Sequence, residues 1–242
     1  MRLFLLFCPD RKILHIIAKQ TKTKDKIALV LKDNAYGHGL LEVSAMAQEY
    51  GIKKAVVQTC KEAQKIAKYF EYILVLADFP DTQNEKVRYA INDINALSKF
   101  PHATKVELKV DTGMHRSGIS ADELQDALKM IKEQGLILEG VFTHHRSADE
   151  LTSEWFWQKD NFAKIKAEVL SSGFDKMRFH SSSSAALFRH VDFDEDMARV
   201  GIAAYGCMQL PHAISVDGFK PVLSVYAKKI SSRVLKKGQR VG

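Results

Sequence analysis

The sequence of 242 residues has few cysteines, few prolines and no long hydrophobic run. Its three cysteines, Cys8, Cys60 and Cys207, are odd in number and far apart. This argues against a disulfide framework and predicts a reducing compartment such as the cytoplasm. The apolar stretch Leu3–Cys8 is shorter than the core of a signal peptide, and Pro9 follows it directly. Because no segment approaches the about 18–20 apolar residues of a membrane span, no membrane partner is expected.

The charge balance is basic, with a net charge of +7, but it gives little support to a nucleic-acid partner. The lysines and arginines are spread along the whole chain instead of forming one patch. Hydrophobic residues make up 46% and charged residues 27%, which is ordinary for a globular protein. The composition therefore predicts a globular enzyme or ligand-binding domain, and no nucleic-acid partner is expected.

Short apolar runs alternate with amphipathic stretches along most of the chain. The runs are nearly continuous and rich in β-branched and aromatic residues, as is typical of strands buried on both faces of a parallel sheet. They are Ile27–Lys32, Ala55–Thr59, Tyr72–Ala77, Tyr89–Ile94, Val106–Val110, Leu138–His144, Met177–His180 and Ala198–Tyr205. Eight strand–helix repeats predict an α/β fold, a (β/α)8 TIM-type barrel. A doubly wound open sheet is the alternative, and the absence of a GxGxxG motif after the first run disfavours it.

Four amphipathic segments between the runs are predicted to be helices. The best defined is Ala121–Gln134, where Ser120 is the expected N-cap, Glu123 completes a capping box and Gly135 ends the helix. The others are Gly39–Tyr50, Lys61–Phe70 and Ser153–Ser171.

The pattern changes after Gly206, and this predicts two domains. Residues 1–206 are expected to form the barrel, and residues 207–242 a linker and the start of a truncated β-rich domain. Within the second part, Val222–Val234 has the alternation of a strand. Its basic residues are interpreted as a solvated strand face.

In a barrel the active site lies at the carboxyl ends of the strands, so polar residues after each run are candidates. Lys32 closes the first run. Burial disfavours the charged form of lysine, and a neutral amine is what a Schiff-base lysine needs. The alternative is a strand-end lysine that extends to solvent.

Two further strand ends suggest chemistry that the sequence does not complete. Asp111-Thr112-Gly113 occurs in aspartic proteases, but these need two carboxylates and the chain has one copy. His144 and His145 are metal-binding residue types, yet neighbours in a strand point to opposite faces and do not easily share an ion. No metal is expected.

The seventh and eighth runs end in residues suited to phosphate. Ser181–Ser184 is either a flexible linker or a cradle of hydroxyls and backbone amides at a helix start. Gly201 permits a close approach of the backbone to a ligand. Barrels often bind phosphate with the loops after strands seven and eight, which favours the cradle.

Taken together and in order, these segments resemble one family. Lys32–Gly39 resembles the pyridoxal-phosphate attachment motif of bacterial alanine racemases. The later motifs of that family are similar to Lys109–Arg116, Glu139–His144, His180–Ala186 and Arg199–Gly206. The match in order and spacing extends from about residue 25 to the end of the sequence, and it implies a pyridoxal 5′-phosphate-dependent amino-acid racemase.

The resemblance assigns expected roles to individual residues. Lys32 would be the aldimine lysine and one of two bases. Tyr36, Ser184, Gly201 and Ile202 match the phosphate contacts of the family. His144 matches the residue that packs on the pyridine ring, and Arg116 the residue near the phenolic oxygen of the cofactor. Lys109 matches a lysine that is often carbamylated and that braces this arginine.

Arg199 matches the arginine that faces the pyridine nitrogen. Arginine remains protonated, so it donates to that nitrogen and the ring stays a weak electron sink. This favours simple reprotonation of the substrate over transamination.

The implied reaction is the interconversion of L-alanine and D-alanine, which supplies a precursor of peptidoglycan. Its second base would be a tyrosine of the β-domain acting across a homodimer interface, but the sequence has no tyrosine after Tyr226. Asp33, Ser183, His145 and Arg146 also depart from the family pattern. The alternative is therefore a pyridoxal-phosphate-binding barrel, a remnant or carrier, without full racemase turnover.

Overall fold

The computed structural model describes residues 11–80, 84–223 and 228–240. Eight strands form one parallel sheet in the order β7-β6-β5-β4-β3-β2-β1-β8. They are β1 (Ile27–Val30), β2 (Lys54–Val57), β3 (Tyr72–Val75), β4 (Val87–Ile91), β5 (Lys105–Lys109), β6 (Ile137–Phe142), β7 (Arg178–His180) and β8 (Ala198–Val200). The (β/α)8 barrel predicted from the alternating runs is confirmed.

The barrel closes without a strand ladder between β7 and β8, which are the two edges of the sheet in the described residues. Other hydrogen bonds join the segments at these edges, among them the three that follow. The Arg199 amide donates to the Ser182 carbonyl at 2.9 Å. The Phe179 amide donates to the Asp196 carboxylate at 2.8 Å, and the Asp196 amide donates to the Phe179 carbonyl at 3.3 Å. The seam between β7 and β8 thus depends on loop and side-chain contacts.

The helices flank the strands, and two short ones, Lys32–Tyr36 and Ser184–Leu187, contribute residues to a cavity at the carboxyl ends of the strands. The helices are α1 (Arg11–Gln20), α2 (Lys32–Tyr36), α3 (Leu40–Tyr50), α4 (Cys60–Ile66), α5 (Leu124–Glu133), α6 (Glu154–Ser171) and α7 (Ser184–Leu187). Short 3-10 turns lie at Lys24–Lys26, Ile94–Lys99, Ala121–Glu123 and Ile202–Tyr205. The predicted capping box is confirmed, because the Ser120 amide donates to the Glu123 carboxylate at 2.7 Å. Gly135 follows α5 with a φ of +63°, as expected for a helix stop.

The core has two layers, which explains why the strand runs are apolar without alternation. Residues such as Ala28, Val30 and Leu74 pack together inside the barrel, whereas Ile27 and Leu29 pack against the helices. Because successive residues of a strand point to opposite faces, burial of both faces requires a continuous apolar run.

Several predicted boundaries are wrong at the carboxyl ends. The run Ala198–Tyr205 is a strand only to Val200, and Ile202–Tyr205 is a 3-10 turn. The predicted helix Lys61–Phe70 ends at Ile66, and α1 was not predicted. Residues beyond the strand ends remain buried, so apolar character extends past the hydrogen-bonded ladder.

The described residues after Gly206, 207–223 and 228–240, form neither helix nor strand. The predicted strand Val222–Val234 is not observed at 222–223 or 228–234, and its remaining residues lie outside the described ones. The first part of this segment returns to the barrel, because the Val222 amide donates to the Tyr205 carbonyl at 3.1 Å. The proposed boundary at residue 206 stays a prediction. No helix in the described ranges is both long and apolar enough to cross a membrane.

Candidate active site

One cavity of about 340 Å³ opens at the carboxyl ends of the strands. All residues that the sequence assigned to the site lie in its lining: Lys32, Tyr36, Lys109, Arg116, His144, Ser184, Arg199, Gly201 and Ile202. They come from five separate segments of the chain, which the barrel brings together because parallel strands end at the same rim.

Lys32 begins a turn of unusual handedness directly after β1. Asp33, Asn34, Ala35 and Tyr36 have φ values from +53° to +56°, the left-handed region that costs L-residues about 1–2 kcal/mol each. Local hydrogen bonds offset this strain. The Ala35 amide donates to the Leu31 carbonyl at 2.8 Å, and the Leu40 amide donates to Asn34 Oδ1 at 2.9 Å. The turn directs both Lys32 and Tyr36 into the cavity.

Tyr36 lies against Gly201 across the mouth of the cavity. A Cβ atom added to Gly201 would stand 2.7 Å from the Tyr36 hydroxyl oxygen, so only glycine fits there without a shift. The Tyr36 ring also packs on Tyr205 at 5.3 Å between centroids. Partial burial, together with the nearby Asp33 carboxylate, raises the pKa of Tyr36. Its hydroxyl is therefore a neutral hydrogen-bond donor around pH 7.

Ser184 connects the loops that follow β7 and β8. Its Oγ accepts from the amides of Gly201 at 3.1 Å and Ala203 at 3.2 Å. Because the hydroxyl oxygen accepts both bonds, its proton remains to donate to a ligand. The Ser184 hydroxyl is thus one donor of the kind that a phosphate cradle needs, and the cradle itself stays a prediction.

The other serines of this segment have different surroundings. Ser183 lines the cavity, whereas Ser181 and Ser182 turn away and bind the Glu195 carboxylate. Their amides donate to Glu195 Oε2 at 2.7 and 2.9 Å. Ser181, Ser182 and Ser184 are buried. The flexible-linker alternative for Ser181–Ser184 is therefore wrong.

Arg199 is held in the barrel interior by carbonyl oxygens and one imidazole. Its NH1 donates to His180 Nδ1 and to the His180 carbonyl, the latter at 3.0 Å. Its NH2 donates to the carbonyls of Thr143 at 2.5 Å and Ser181 at 3.2 Å. Burial lowers the pKa of Arg199 to about 10, so the guanidinium remains charged at neutral pH. These contacts use NH1 and NH2 and leave the Nε–H donor for a ligand.

Lys109 and His144 lie in a strongly cationic part of the cavity. Burial, reinforced by Arg116 and Arg199, lowers the pKa of Lys109 to about 8. Burial and the same two arginines lower the pKa of His144 to about 3. His144 is therefore neutral at pH 7, and Lys109, which donates to Ser117 Oγ, has an accessible neutral form.

The aspartic-protease interpretation of Asp111-Thr112-Gly113 loses support in the structure. Asp111 caps its own loop, since its Oδ1 accepts from the amides of Gly113 and Met114 at 2.9 Å. This is a turn and not a catalytic dyad. Over the described part of the chain, no cluster of three or more His, Cys, Asp or Glu side chains has metal-binding geometry.

Two residues of the site's surroundings were not found from the sequence. Phe142 lines the cavity and stacks on the His180 ring at 4.9 Å, while the Arg199 guanidinium lies 5.1 Å from its centroid. Glu107 binds His180 from the opposite side. The available signal for Glu107 was a carboxylate within the run Val106–Val110, in which Lys109 is the other charged residue.

The family model "Alanine racemase, N-terminal domain" matches residues 12–209. The chain belongs to the alanine racemase family. It is 47% identical over 233 residues to an alanine racemase of a Nitratiruptor species, with 95% of this chain and 69% of that protein covered. An alanine racemase of Campylobacter curvus is 44% identical, with 93% and 68% covered.

Solved alanine racemases share this fold. The enzyme of Clostridium difficile 630 is 27% identical with a TM-score of 0.74, and the match covers 88% of this chain and 62% of that one. The chain thus spans about two thirds of the curated alanine racemases and about three fifths of this solved one.

Alanine racemases depend on pyridoxal 5′-phosphate, and the residues of this cavity fit that group. The same space is lined by the Lys32 amine, by the Ser184 hydroxyl with its free proton, by Gly201 and by Arg199. The described residues of the cavity therefore include an amine, hydroxyl groups and a guanidinium, which are the kinds of group that this cofactor would need.

Proposed function

We propose that this chain is the cofactor-binding barrel of an alanine racemase that interconverts L-alanine and D-alanine. The observation that carries the proposal is the convergence of nine family-matched residues from five segments on one cavity. The motif order alone does not require this convergence, whereas an active site does.

The residues of the cavity divide by the part of pyridoxal phosphate that each would hold. Lys32 would bind it covalently. Tyr36, Ser184 and the backbone at Gly201–Ile202 would surround the phosphate, and the neutral hydroxyls of Tyr36 and Ser184 would donate to it, since the Gly201 amide already donates to Ser184 Oγ. His144 would pack on the ring, and Arg116 would lie near its phenolic oxygen. Bound there, the cofactor withdraws electrons from the substrate α-carbon.

Arg199 would set how strongly electrons are withdrawn. Its Nε–H would donate to the ring nitrogen, and a guanidinium with a pKa of about 10 does not release its proton at neutral pH. By keeping this proton, Arg199 would leave the ring nitrogen unprotonated, which would limit electron withdrawal and favour rapid return of a proton to the α-carbon. This selects racemisation over transamination.

Lys32 would carry the proton on one face of the α-carbon. Racemisation needs a second group on the opposite face. We place it outside the described residues, on a tyrosine of a β-domain that acts across a homodimer interface. Among the described residues of the cavity lining, Tyr36 is the tyrosine present, and its hydroxyl points toward Gly201.

Lys109 would be carbamylated in the working enzyme. The addition of carbon dioxide requires a neutral amine, and a pKa of about 8 makes that form accessible near neutral pH. The resulting anion would lie beside Arg116 and Arg199, whose charges favour it. The modified side chain would then brace Arg116.

We further propose a cytoplasmic location and a role in supplying D-alanine for peptidoglycan.

Covalent capture tests the assignment of Lys32 to the cofactor. The protein is incubated with pyridoxal phosphate, reduced with borohydride, digested and mapped by mass spectrometry. We expect the added mass on the peptide that contains Lys32 and no labelling of that site in Lys32→Ala. Labelling confined to exposed lysines would contradict the proposal.

Proton exchange separates the racemase from a cofactor carrier. L-alanine is incubated with the loaded protein in D2O, and both deuterium at the α-carbon and the fraction of D-alanine are measured. Formation of deuterated D-alanine supports the racemase. Labelling of Lys32 without any exchange would identify a carrier instead.

A further inference from the structure

Glu107 is a fully buried carboxylate inside the barrel. It lies in the middle of β5, where its neighbours Val106 and Leu108 are apolar and buried. The opposite position on β6 is Gly140, and a Cβ atom added there would come within 2.9 Å of the Glu107 carboxyl carbon. The barrel thus leaves space for this charge and must also stabilise it, because an unpaired buried charge is costly.

Three donors surround the Glu107 carboxylate. Oε1 accepts from the Tyr72 hydroxyl at 2.7 Å and from Arg178 NH1 at 2.5 Å. Oε2 pairs with His180 Nε2 at 2.7 Å. Burial acts to raise the pKa of Glu107, but the surrounding groups, His180 first and then Arg178 and Tyr72, lower it to about 2. The carboxylate is therefore ionised and can only accept hydrogen bonds.

The Nδ1 side of the His180 ring faces the Arg199 guanidinium, a group that donates hydrogen bonds and cannot accept them. Arg199 NH1 donates to His180 Nδ1, so that nitrogen must carry a lone pair. The remaining proton of a neutral imidazole is then on Nε2, which is the nitrogen that faces Glu107. Burial lowers the pKa of His180, which agrees with a neutral ring.

We propose that Glu107 is a positioning residue that fixes His180 in the Nε2–H form and thereby orients the Arg199 guanidinium toward the cavity. A carboxylate at position 107 accepts from Nε2–H and so leaves Nδ1 as the acceptor for Arg199. The consequence for the cofactor ring rests on the function proposed above, whereas the proton arrangement does not.

Replacement of the carboxylate by an amide tests this arrangement. In Glu107→Gln, the carbonyl oxygen of the amide is held by Tyr72 and Arg178, both of which donate. The NH2 group then faces His180 Nε2, which has to become the acceptor. The His180 proton moves to Nδ1 and faces Arg199 NH1, donor against donor, so that contact breaks.

The readout is the tautomer of His180, measured by ¹⁵N NMR in full-length protein labelled at histidine. The signal is assigned with His180→Gln. We expect the Nε2–H form in the native sequence and the Nδ1–H form in Glu107→Gln. Tyr72→Phe is the matched control, because it removes a donor to the same carboxylate and should retain the Nε2–H form.

Pyridoxal phosphate affinity is measured on the same three proteins. We expect the Kd to rise about tenfold in Glu107→Gln and clearly less in Tyr72→Phe. If Glu107→Gln does not fold, the native tautomer alone still decides. An Nδ1–H or doubly protonated His180 in the native protein overturns the proposal.

The two proposals fail separately. A correct tautomer switch without any change in cofactor affinity would leave the Glu107–His180 relationship intact but remove its link to the cofactor. Failure of Lys32 labelling together with an Nε2–H His180 would overturn the function and not the proton arrangement.

Discussion

The hydroxyl of Tyr36 occupies the space in which the Cβ atom of any residue other than glycine at position 201 would stand, at a separation of 2.7 Å. The two residues belong to opposite ends of the barrel sequence, one after β1 and one after β8, which are neighbours in the sheet. Their contact forms the part of the cavity assigned to the phosphate.

Gly201→Ala is therefore expected to displace Tyr36 and to raise the Kd for pyridoxal phosphate about tenfold. The φ of Gly201 is negative, at −105°, and the conflict expected for alanine is the contact of its Cβ atom with the Tyr36 hydroxyl. The measurement is a fluorescence or absorbance titration with the cofactor.

A double-variant cycle with Tyr36→Phe separates the conflict from other effects. Without the hydroxyl, the nearest ring atom to the new Cβ is Cζ at 3.4 Å, an ordinary contact. The Gly201→Ala substitution should then raise the Kd for pyridoxal phosphate much less in the Tyr36→Phe background than in the native protein. Additive effects on the Kd would show that the two side chains do not conflict.

Ser184→Ala is expected to lower the free energy of unfolding by about 1–3 kcal/mol, because two buried amides lose their acceptor. The affected donors are the amides of Gly201 and Ala203. Urea unfolding followed by circular dichroism measures the change. Ser183→Ala is the matched control, since Ser183 makes no side-chain cap bond to α7, and its effect should stay within about 0.5 kcal/mol. Equal losses in the two variants would refute the assigned role of Ser184.

Lys109 makes stability depend on pH in a defined direction. Its pKa of about 8 in the folded protein is below the about 10.4 of an unfolded lysine, so between these values the unfolded chain binds more protons. Stability therefore rises with pH through this window, and below pH 8 the native protein bears the full cost of the buried charge.

Lys109→Met removes that cost. The free energy of unfolding of the variant, measured relative to that of the native protein, should be higher at pH 7 than at pH 10. The expected difference is about 1–2 kcal/mol, after allowance for solvent screening of the amine. The comparison uses urea unfolding at both pH values in carbon dioxide-free buffers, which keep the amine unmodified. The same difference at pH 7 and pH 10 would be inconsistent with a depressed pKa of Lys109.

Much of the barrel was predictable because burial on both faces leaves a direct pattern in the sequence. Each of the eight apolar runs overlaps one strand, although four of the strands begin one or two residues before the run, and the candidate residues at the run ends share one cavity. The boundaries were less predictable. Residues such as Leu31 and Thr143 stay buried beyond the strands, and apolar patterning reports burial and not hydrogen bonding.

Other features could not be read from residue types. The left-handed turn at Asp33–Tyr36 contains no glycine, the usual sign of positive φ, and it is held by hydrogen bonds with the backbone of Leu31 and Leu40. A glutamate in a strand usually indicates a position that faces solvent. Glu107 is instead buried, and its carboxylate is stabilised by hydrogen bonds from Arg178 and Tyr72, which are distant in sequence. Such pairings depend on the closed barrel.

The seam between β7 and β8 has a consequence for how the barrel opens locally. The other neighbouring strands of the sheet are joined by ladders of backbone hydrogen bonds. At this seam the Arg199 side chain donates to the carbonyls of His180 and Ser181. Local opening takes the path with the fewest cooperative bonds. Amide hydrogens beside the seam should exchange with solvent sooner than those of β2 to β5. A ligand that binds Arg199 should stabilise the seam and slow this exchange.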